Sequence, residues 1–141
     1  MIDIENLVFD TLFNAVTAVR NDVNITKGYV EETAEYPCLV VREVDNVPYQ
    51  RTDTDDCAEN YSRVTYQVEA FSDKQGTAMS ECKELLKLAD AAMQGMKFRR
   101  IHKSEPFNVN RSIFRQYTRY AVIVRDGITE GEDTIYQMYR R

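Results

Sequence analysis

The sequence has few of the residues from which enzymes build metal or thiol centres. Its 141 residues include one histidine, His102, and three cysteines, Cys38, Cys57 and Cys82. A single histidine excludes a zinc site made of several histidines of this chain. The odd number and wide spacing of the cysteines exclude a CxxC metal pair and a disulfide framework, which favours reduced thiols.

Other functional classes are excluded by missing motifs and missing apolar runs. The five glycines form neither GxxxxGK[ST] nor GxGxxG, so no phosphate-binding loop of a known type is present. No apolar run approaches the length of a membrane span. The first residues, MIDIENLVFD, carry acids where a signal peptide needs positive charge, so we expect a chain that begins in the cytoplasm.

The overall composition is typical of one globular domain. Hydrophobic residues make up 43% and charged residues 29% of the chain, and the length suits a single domain over residues 1–141 with its own core. The net charge of −5 argues against nonspecific attraction to DNA or to anionic membranes.

Two segments have the apolar periodicity of amphipathic helices. IDIENLVFDTLFNAVTAVRND predicts a first helix with Asp3 as N-cap, and Asn24 to Gly28 predicts a turn after it. Its apolar stripe comprises Ile4, Leu7, Val8, Leu12, Ala15, Val16 and Val19. SDKQGTAMSECKELLKLADAAMQGM predicts a second helix, capped by Ser72 or Asp73 and stopped by Gly95. Its stripe comprises Ala78, Cys82, Leu85, Leu86, Ala89 and Met93.

Between the helices, two segments are typical of strands. EYPCLVVREVD is apolar on both faces over residues 38–41, which indicates an interior strand. YSRVTYQVEAFS alternates, with Val64, Tyr66, Val68 and Ala70 on a buried face. The opposite, wetter face carries Arg63, Thr65, Gln67 and Glu69.

The last third of the sequence predicts further strands. KFRRIHKS indicates a short exposed strand, and IFRQYTRYAVIVRDG a longer one. Tyr120, Val122 and Val124 of the longer strand share one face, and Arg119, Ile123 and Arg125 the other. Gly127 and Gly131 bracket a predicted polar turn, and TIYQMYRR predicts a last strand. The order of elements predicts an α+β fold: a mainly antiparallel sheet with two helices packed on one face.

The stretch YQRTDTDDCAENYS looks most like a chemical site. Asp53, Asp55, Asp56 and Glu59 lie close together, but counting from Asp53 puts Ala58 and Val64 where an EF-hand needs glycine and glutamate. We therefore predict a solvated inter-strand loop over residues 46–60, without metal, cofactor or catalytic residues. A metal-dependent hydrolase that uses the three aspartates is the alternative from another class.

Two other clusters suggest protein contacts. The basic cluster KFRRIHK offers Arg99, Arg100 and Lys103, and we expect it to meet an acidic protein rather than nucleic acid. Tyrosine and arginine crowd the C-terminal quarter, a composition that both interfaces and ordinary strands have. If an interface forms there, its subunit-contact residues would be Tyr136, Tyr139 and Arg140.

The layout resembles a known family. A helix, then YPCLVVREVDN and a charged loop, then YSRVTYQVEAFSD running into a helix, then strands ending near RYAVIVRDG, is similar to the tail-terminator (tail-completion) proteins of long-tailed bacteriophages. The most telling part runs from Tyr61 to Met93, where the alternating strand leads into a D-x-x-x-x-A helix start at Asp73 to Ala78. The resemblance extends from the first helix to Gly127.

The resemblance implies a structural role rather than catalysis. Such proteins form a ring, typically a hexamer, on the last ring of the tail tube, stop its polymerisation and join it to the head connector. DNA passes through the lumen without specific binding, and no membrane is involved. The implied location is the tail–neck region of the virion, after assembly in the host cytoplasm. Another small neck or head-completion protein of the same machinery is the nearest alternative.

Overall fold

The structure, a computed structural model, describes residues 2–28, 35–48, 61–109, 113–130 and 133–139, with side chains through residue 125. Two helices and seven strands lie within these ranges. They are, in chain order, α1 (Glu5–Thr17), β1 (Asn24–Lys27), β2 (Cys38–Pro48), β3 (Tyr61–Ser72), α2 (Ala78–Gly95), β4 (Arg99–Lys103), β5 (Phe107–Asn108), β6 (Phe114–Glu130) and β7 (Asp133–Tyr139).

The strands form one mixed, mostly antiparallel sheet. Its order is β1-β2-β3-β6-β4, and β5 and β7 also pair with β6. Strand β1 runs parallel to β2, and every other pairing between the described strands is antiparallel. Both helices pack on the same face, which confirms the predicted α+β fold. Neither described helix is long and apolar enough to cross a membrane.

The core lies between the helices and this sheet face. The predicted buried residues of β3 and β6 lie in it, and so does the predicted stripe of α2 except Ala78, which is buried outside this cluster. The ring of Phe98 packs edge-on against that of Tyr66, with 5.8 Å between their centroids. Burying a side chain such as Leu85 contributes about 2 kcal/mol of folding free energy. The side chains that form this core are therefore those that recur at the 3.6-residue spacing of a helix or at the two-residue spacing of a strand.

Helix α1 differs in part from its prediction. Ile4, Val8, Leu12 and Val16 are buried, but the other members of the predicted stripe, Leu7, Ala15 and Val19, are exposed. The helix ends at Thr17, before Val19, and its buried residues Val8, Leu12 and Val16 recur every four residues, which leaves Leu7 and Ala15 outside this narrow stripe. The residue before the helix is Ile4, not Asp3, although the Asp3 carboxylate accepts a hydrogen bond of 3.0 Å from the Glu5 amide.

Several predicted boundaries were wrong. Asn24 to Lys27 form β1 rather than a turn, because their amides and carbonyls pair with β2. Ser72 ends β3, and α2 begins six residues later, at Ala78, with Thr77 before it. The Ser72 hydroxyl instead donates to the Glu81 carboxylate at 2.6 Å. Gly127 lies within β6 rather than at the edge of a turn.

Helix α2 ends in a Schellman motif. Gly95 is its last residue, but the left-handed residue is Lys97, at a φ of 70°. The Phe98 amide donates to the Met93 carbonyl at 3.0 Å, and the Lys97 amide to the Gln94 carbonyl at 2.9 Å. Phe98 and Met93 are both buried, which supplies the apolar contact that accompanies this motif.

Candidate interaction face of the sheet

The sheet face opposite the helices, called the open face below, is rich in arginine. Its side chains come from strand positions that alternate with core positions, and among the residues whose side chains are described its acids are Asp45 and Glu69. It also carries Arg42, Arg63, Arg99, Arg115, Arg119 and Arg125. Since the whole chain has a net charge of −5, its charge is strongly segregated.

Glu69 lies at the centre of this face and binds two of the arginines. Its carboxylate accepts from Arg42 Nε at 3.2 Å and from Arg115 Nη2 at 3.0 Å. It also accepts from the Gln67 amide. Glu69 is only 7% exposed, so the cluster belongs to the packed part of the sheet. One carboxylate shared by two guanidinium groups leaves an excess positive charge at the surface.

Aromatic rings surround Arg115. Its guanidinium carbon lies 5.9 Å from the ring centroid of Phe71, 5.3 Å from that of Phe107 and 5.0 Å from that of Tyr117. These distances suit cation–π contact. Because Glu69 and the rings hold the guanidinium, little side-chain entropy remains for a partner to remove.

Arg119 extends the cluster into solvent. Its Nε donates to Gln67 Oε1 at 2.8 Å, and its guanidinium lies 5.6 Å from the Tyr117 ring. Both contacts are with neutral groups, so the charge of this exposed side chain is available to a partner. The ring of His102 lies 5.5 Å from that of Tyr117 and continues the row into β4.

Nucleophilic and metal chemistry have little support in the described residues. Burial raises the pKa of the Cys38 thiol to about 12 and that of Cys82 to about 11, so both are protonated near neutral pH. No cluster of histidine, cysteine, aspartate and glutamate among the described residues has the arrangement of a metal site.

The predicted basic cluster is divided between the two faces of the sheet. Arg99 is opposite Ala121 and lies on the open face. Arg100 is opposite Tyr120 and forms a 3.1 Å ion pair with Asp90 of α2, on the helical side. Lys103, opposite Thr118, lies on the helical side too. All three are exposed, as predicted, but they do not form one patch.

Other predicted site residues lie wholly or partly beyond the description. Asp53, Asp55, Asp56 and Glu59 are outside the described residues, and β2 continues to Pro48 within the range predicted as loop. The predicted last strand is confirmed as β7, where Tyr136 is opposite Asp126 and Tyr139 is opposite Ile123. The side chains of Tyr136 and Tyr139, and the whole of Arg140, lie outside the part of the chain that the structure describes.

The sequence analysis missed the cluster around Glu69. Alternation placed Glu69 and Gln67 on a wetter face, but both are buried. A buried glutamate needs a cationic partner, and arginines on flanking strands were the available signal. The pairing of Glu69 with Arg42 and Arg115 depends on the sheet order, which alternation alone does not define.

Comparison with known proteins agrees with a role without bond chemistry. A search of curated proteins found no match. The family model described as Tail completion protein gp17 matches residues 11–127, which include α2, the strands β1 to β5, most of β6 and the second half of α1. A match over this much of the chain defines its family. The chain belongs to the family of tail completion protein gp17.

Proposed function

We propose that this phage tail protein forms a ring, typically a hexamer, on the last ring of the tail tube. The ring stops tube polymerisation and gives the head connector a surface to join. Family membership supports the tail assembly role, and the open face supports assembly by protein contact. On this proposal the protein works in the tail–neck region of the virion after assembly in the host cytoplasm.

The observation that carries the proposal is the arginine–aromatic composition of the open face. Tyrosine and arginine are enriched in protein interfaces, where preorganised side chains bind with little loss of entropy. Arg115, held by Glu69 and the surrounding rings, has this character. Among the described residues, helices cover one side of the sheet only, and exposed arginines such as Arg119 lie at the surface of the other side.

The shape of the domain is compatible with a closed ring. Subunits in a cyclic ring contact one another through two different surfaces. This chain has a helical side and an open sheet side with different chemistry. The net charge of −5 also suits a ring through which DNA passes without being held.

Capping of tail tubes in vitro tests the proposal. Tube protein is polymerised with and without the purified chain, and tube lengths and end structures are measured by electron microscopy. We expect short tubes with a ring at one end, and no further growth after more tube protein is added. Light scattering after size-exclusion chromatography measures the assembly of the free chain.

The same experiment separates the proposal from its nearest alternative. A neck or head-completion protein would leave tube length unchanged and bind purified heads instead. Unlimited tube growth at saturating protein, together with a monomer both in solution and on tubes, would rule out the proposed ring.

A further inference from the structure

The side of α1 that faces away from the sheet is acidic and partly apolar. Leu7 is 43% and Phe13 is 42% exposed, and Asp10 lies between them along the helix. Asp3 and Glu5 lie at its N-terminal end, and residues 1–19 contain no lysine or arginine. The outer side of α1 below means Leu7, Asp10, Phe13 and Asn14. Glu5 is not part of it, because it lies two turns before the buried Leu12 and so has the core-facing position.

One basic residue from another element also reaches this helix. Lys27 of β1 donates to the Asn6 side chain at 2.7 Å and lies 4.9 Å from the Phe9 ring. The described contacts of Lys27 are thus with neutral groups, and the carboxylate of Asp10 gives the outer side of α1 its negative charge.

The outer side of α1 and the open face are complementary and lie on opposite sides of the molecule. Val8, Leu12 and Val16 attach α1 to the core on the helical side of the sheet, so its outer side points away from the open face. One surface carries Asp10 with exposed Leu7 and Phe13. The other carries the exposed Arg99 and Arg119 and the ring of Phe107, which is 39% exposed.

We propose that the outer side of α1 in one copy packs against the open face of the next copy. The inference rests on the proposed ring, whose subunit contact it specifies. Two different surfaces of the same chain meet in this contact, so it is heterologous and repeats from copy to copy. The carboxylate of Asp10 meets Arg99 and Arg119, and the apolar side chains of α1 cover the aromatic row.

A second copy fits the open face better than nucleic acid does. A phosphate backbone would approach the carboxylate of Glu69 at the centre of the face. Phosphates also offer no apolar group for Phe107 and Tyr117, whereas Leu7 and Phe13 do. The net charge of −5 further opposes DNA and leaves acidic surface for the arginines.

Charge exchange between the two surfaces tests the contact. The sheet variant carries Arg99→Glu and Arg119→Glu, and the helix variant carries Asp10→Lys and Asn14→Lys, both at exposed positions of the outer side. Each variant has one altered and one intact surface. When they are mixed, the altered surfaces are again complementary to each other, and so are the intact ones.

Sedimentation velocity over a range of concentrations measures the association. We expect each variant alone to associate about tenfold more weakly or worse, since like charges face each other. The equimolar mixture should recover the assembly of the wild type, with the two variants alternating. Raised salt should weaken the wild type and the mixture alike.

A matched control changes the same amount of charge as the sheet variant, but elsewhere. Lys83→Glu with Lys87→Glu alters exposed positions of α2, and it should assemble like the wild type. Circular dichroism and thermal melting of every variant show whether it folds. Assembly of the two folded variants alone, or a mixture that fails to recover, overturns the inference.

Two further readouts separate this inference from the proposed function. If the mixture recovers assembly but tubes grow past it, the contact stands and the tube-end role fails. If the folded sheet variant caps tubes and assembles normally, the role stands and the contact fails. A wild type that is monomeric at millimolar concentration and on tubes overturns the contact. The contact is also overturned if the wild type binds duplex DNA and the sheet variant loses that binding while it still assembles.

Discussion

At the scale of single residues, Glu69 has an unusual position for a carboxylate. It is buried on a sheet face that would otherwise carry only cations and neutral groups near it, and it accepts from Arg42, Arg115 and Gln67. A buried ion pair gives little net stability compared with apolar packing, but removing one partner leaves the others uncompensated. Glu69 therefore orders the arginines around it.

Replacing Glu69 with alanine should destabilise the fold by about 2 kcal/mol, measured by urea unfolding. The expected loss is at the lower end for buried ion pairs, because water reaches both arginines. Asp45→Ala on the same face is the control and should change stability by less than about 0.5 kcal/mol, since Asp45 is exposed. An equal effect of the two changes would contradict a central role for Glu69.

The sequence predicts which face each residue of β3 occupies, but not its partners. Alternation of apolar and polar residues is local, so Val64, Tyr66, Val68 and Ala70 were assigned correctly to the core. Glu69 meets Arg42 across 27 residues and Arg115 across 46 residues of sequence. Such contacts depend on strand order and register, which local patterns leave open.

At the scale of elements, the end of α2 shows how a helix stops without the expected glycine. Its left-handed position holds Lys97, although glycine adopts that conformation at no steric cost. The turn still forms because Phe98 must return to the core beside Met93. The cost of the backbone conformation at Lys97 is offset by that burial.

Lys97→Gly should therefore stabilise the protein by about 1 kcal/mol, measured by thermal and urea unfolding. The side chain of Lys97 is exposed, so its loss removes little packing. Lys87→Gly, at an exposed position inside the same helix, is the matched control and should destabilise by about 1 kcal/mol. A destabilising Lys97→Gly would mean that the side chain itself contributes to the turn.

The long strand β3 and the short strand β4 were predicted correctly, but β1 and the start of α2 were not. Strand β3 has the predicted bounds, because twelve alternating residues carry a strong signal. Strand β1 has only four residues, which were predicted as a turn, and parallel pairing with β2 holds them in the sheet. The boundary of α2 was missed because residues 73–77 suit a loop as well as a helix start.

At the scale of the whole molecule, the main feature is that positive charge is concentrated on one face of an acidic protein. An acidic chain with an arginine-rich face can attract its own copies while its other surfaces repel DNA. The acidic stretch Asp53 to Glu59 contributes to the negative charge of the sequence. We propose that its carboxylates face the lumen or a neighbouring subunit, where they repel DNA or meet basic residues.

Changing Asp53, Asp55 and Asp56 together to lysine should disturb ring assembly or DNA passage and leave the fold intact. Infectious titre and particle images measure the first effect, and thermal melting measures the second. Normal infectious particles would mean that the stretch is only solvated. Changing the three residues to asparagine tests the hydrolase alternative, which requires a magnesium-dependent activity that this variant loses.

The pairing of β3 with β6 also limits how this protein can evolve. Twelve consecutive residue pairs join the two strands, and neighbouring residues on each point to opposite faces. Insertion or deletion of one residue would move every following side chain to the wrong face, placing arginine in the core and valine in solvent. During evolution, substitutions on β3 and β6 can therefore change which partner the protein binds. Insertions and deletions must occur in the segments that connect the strands.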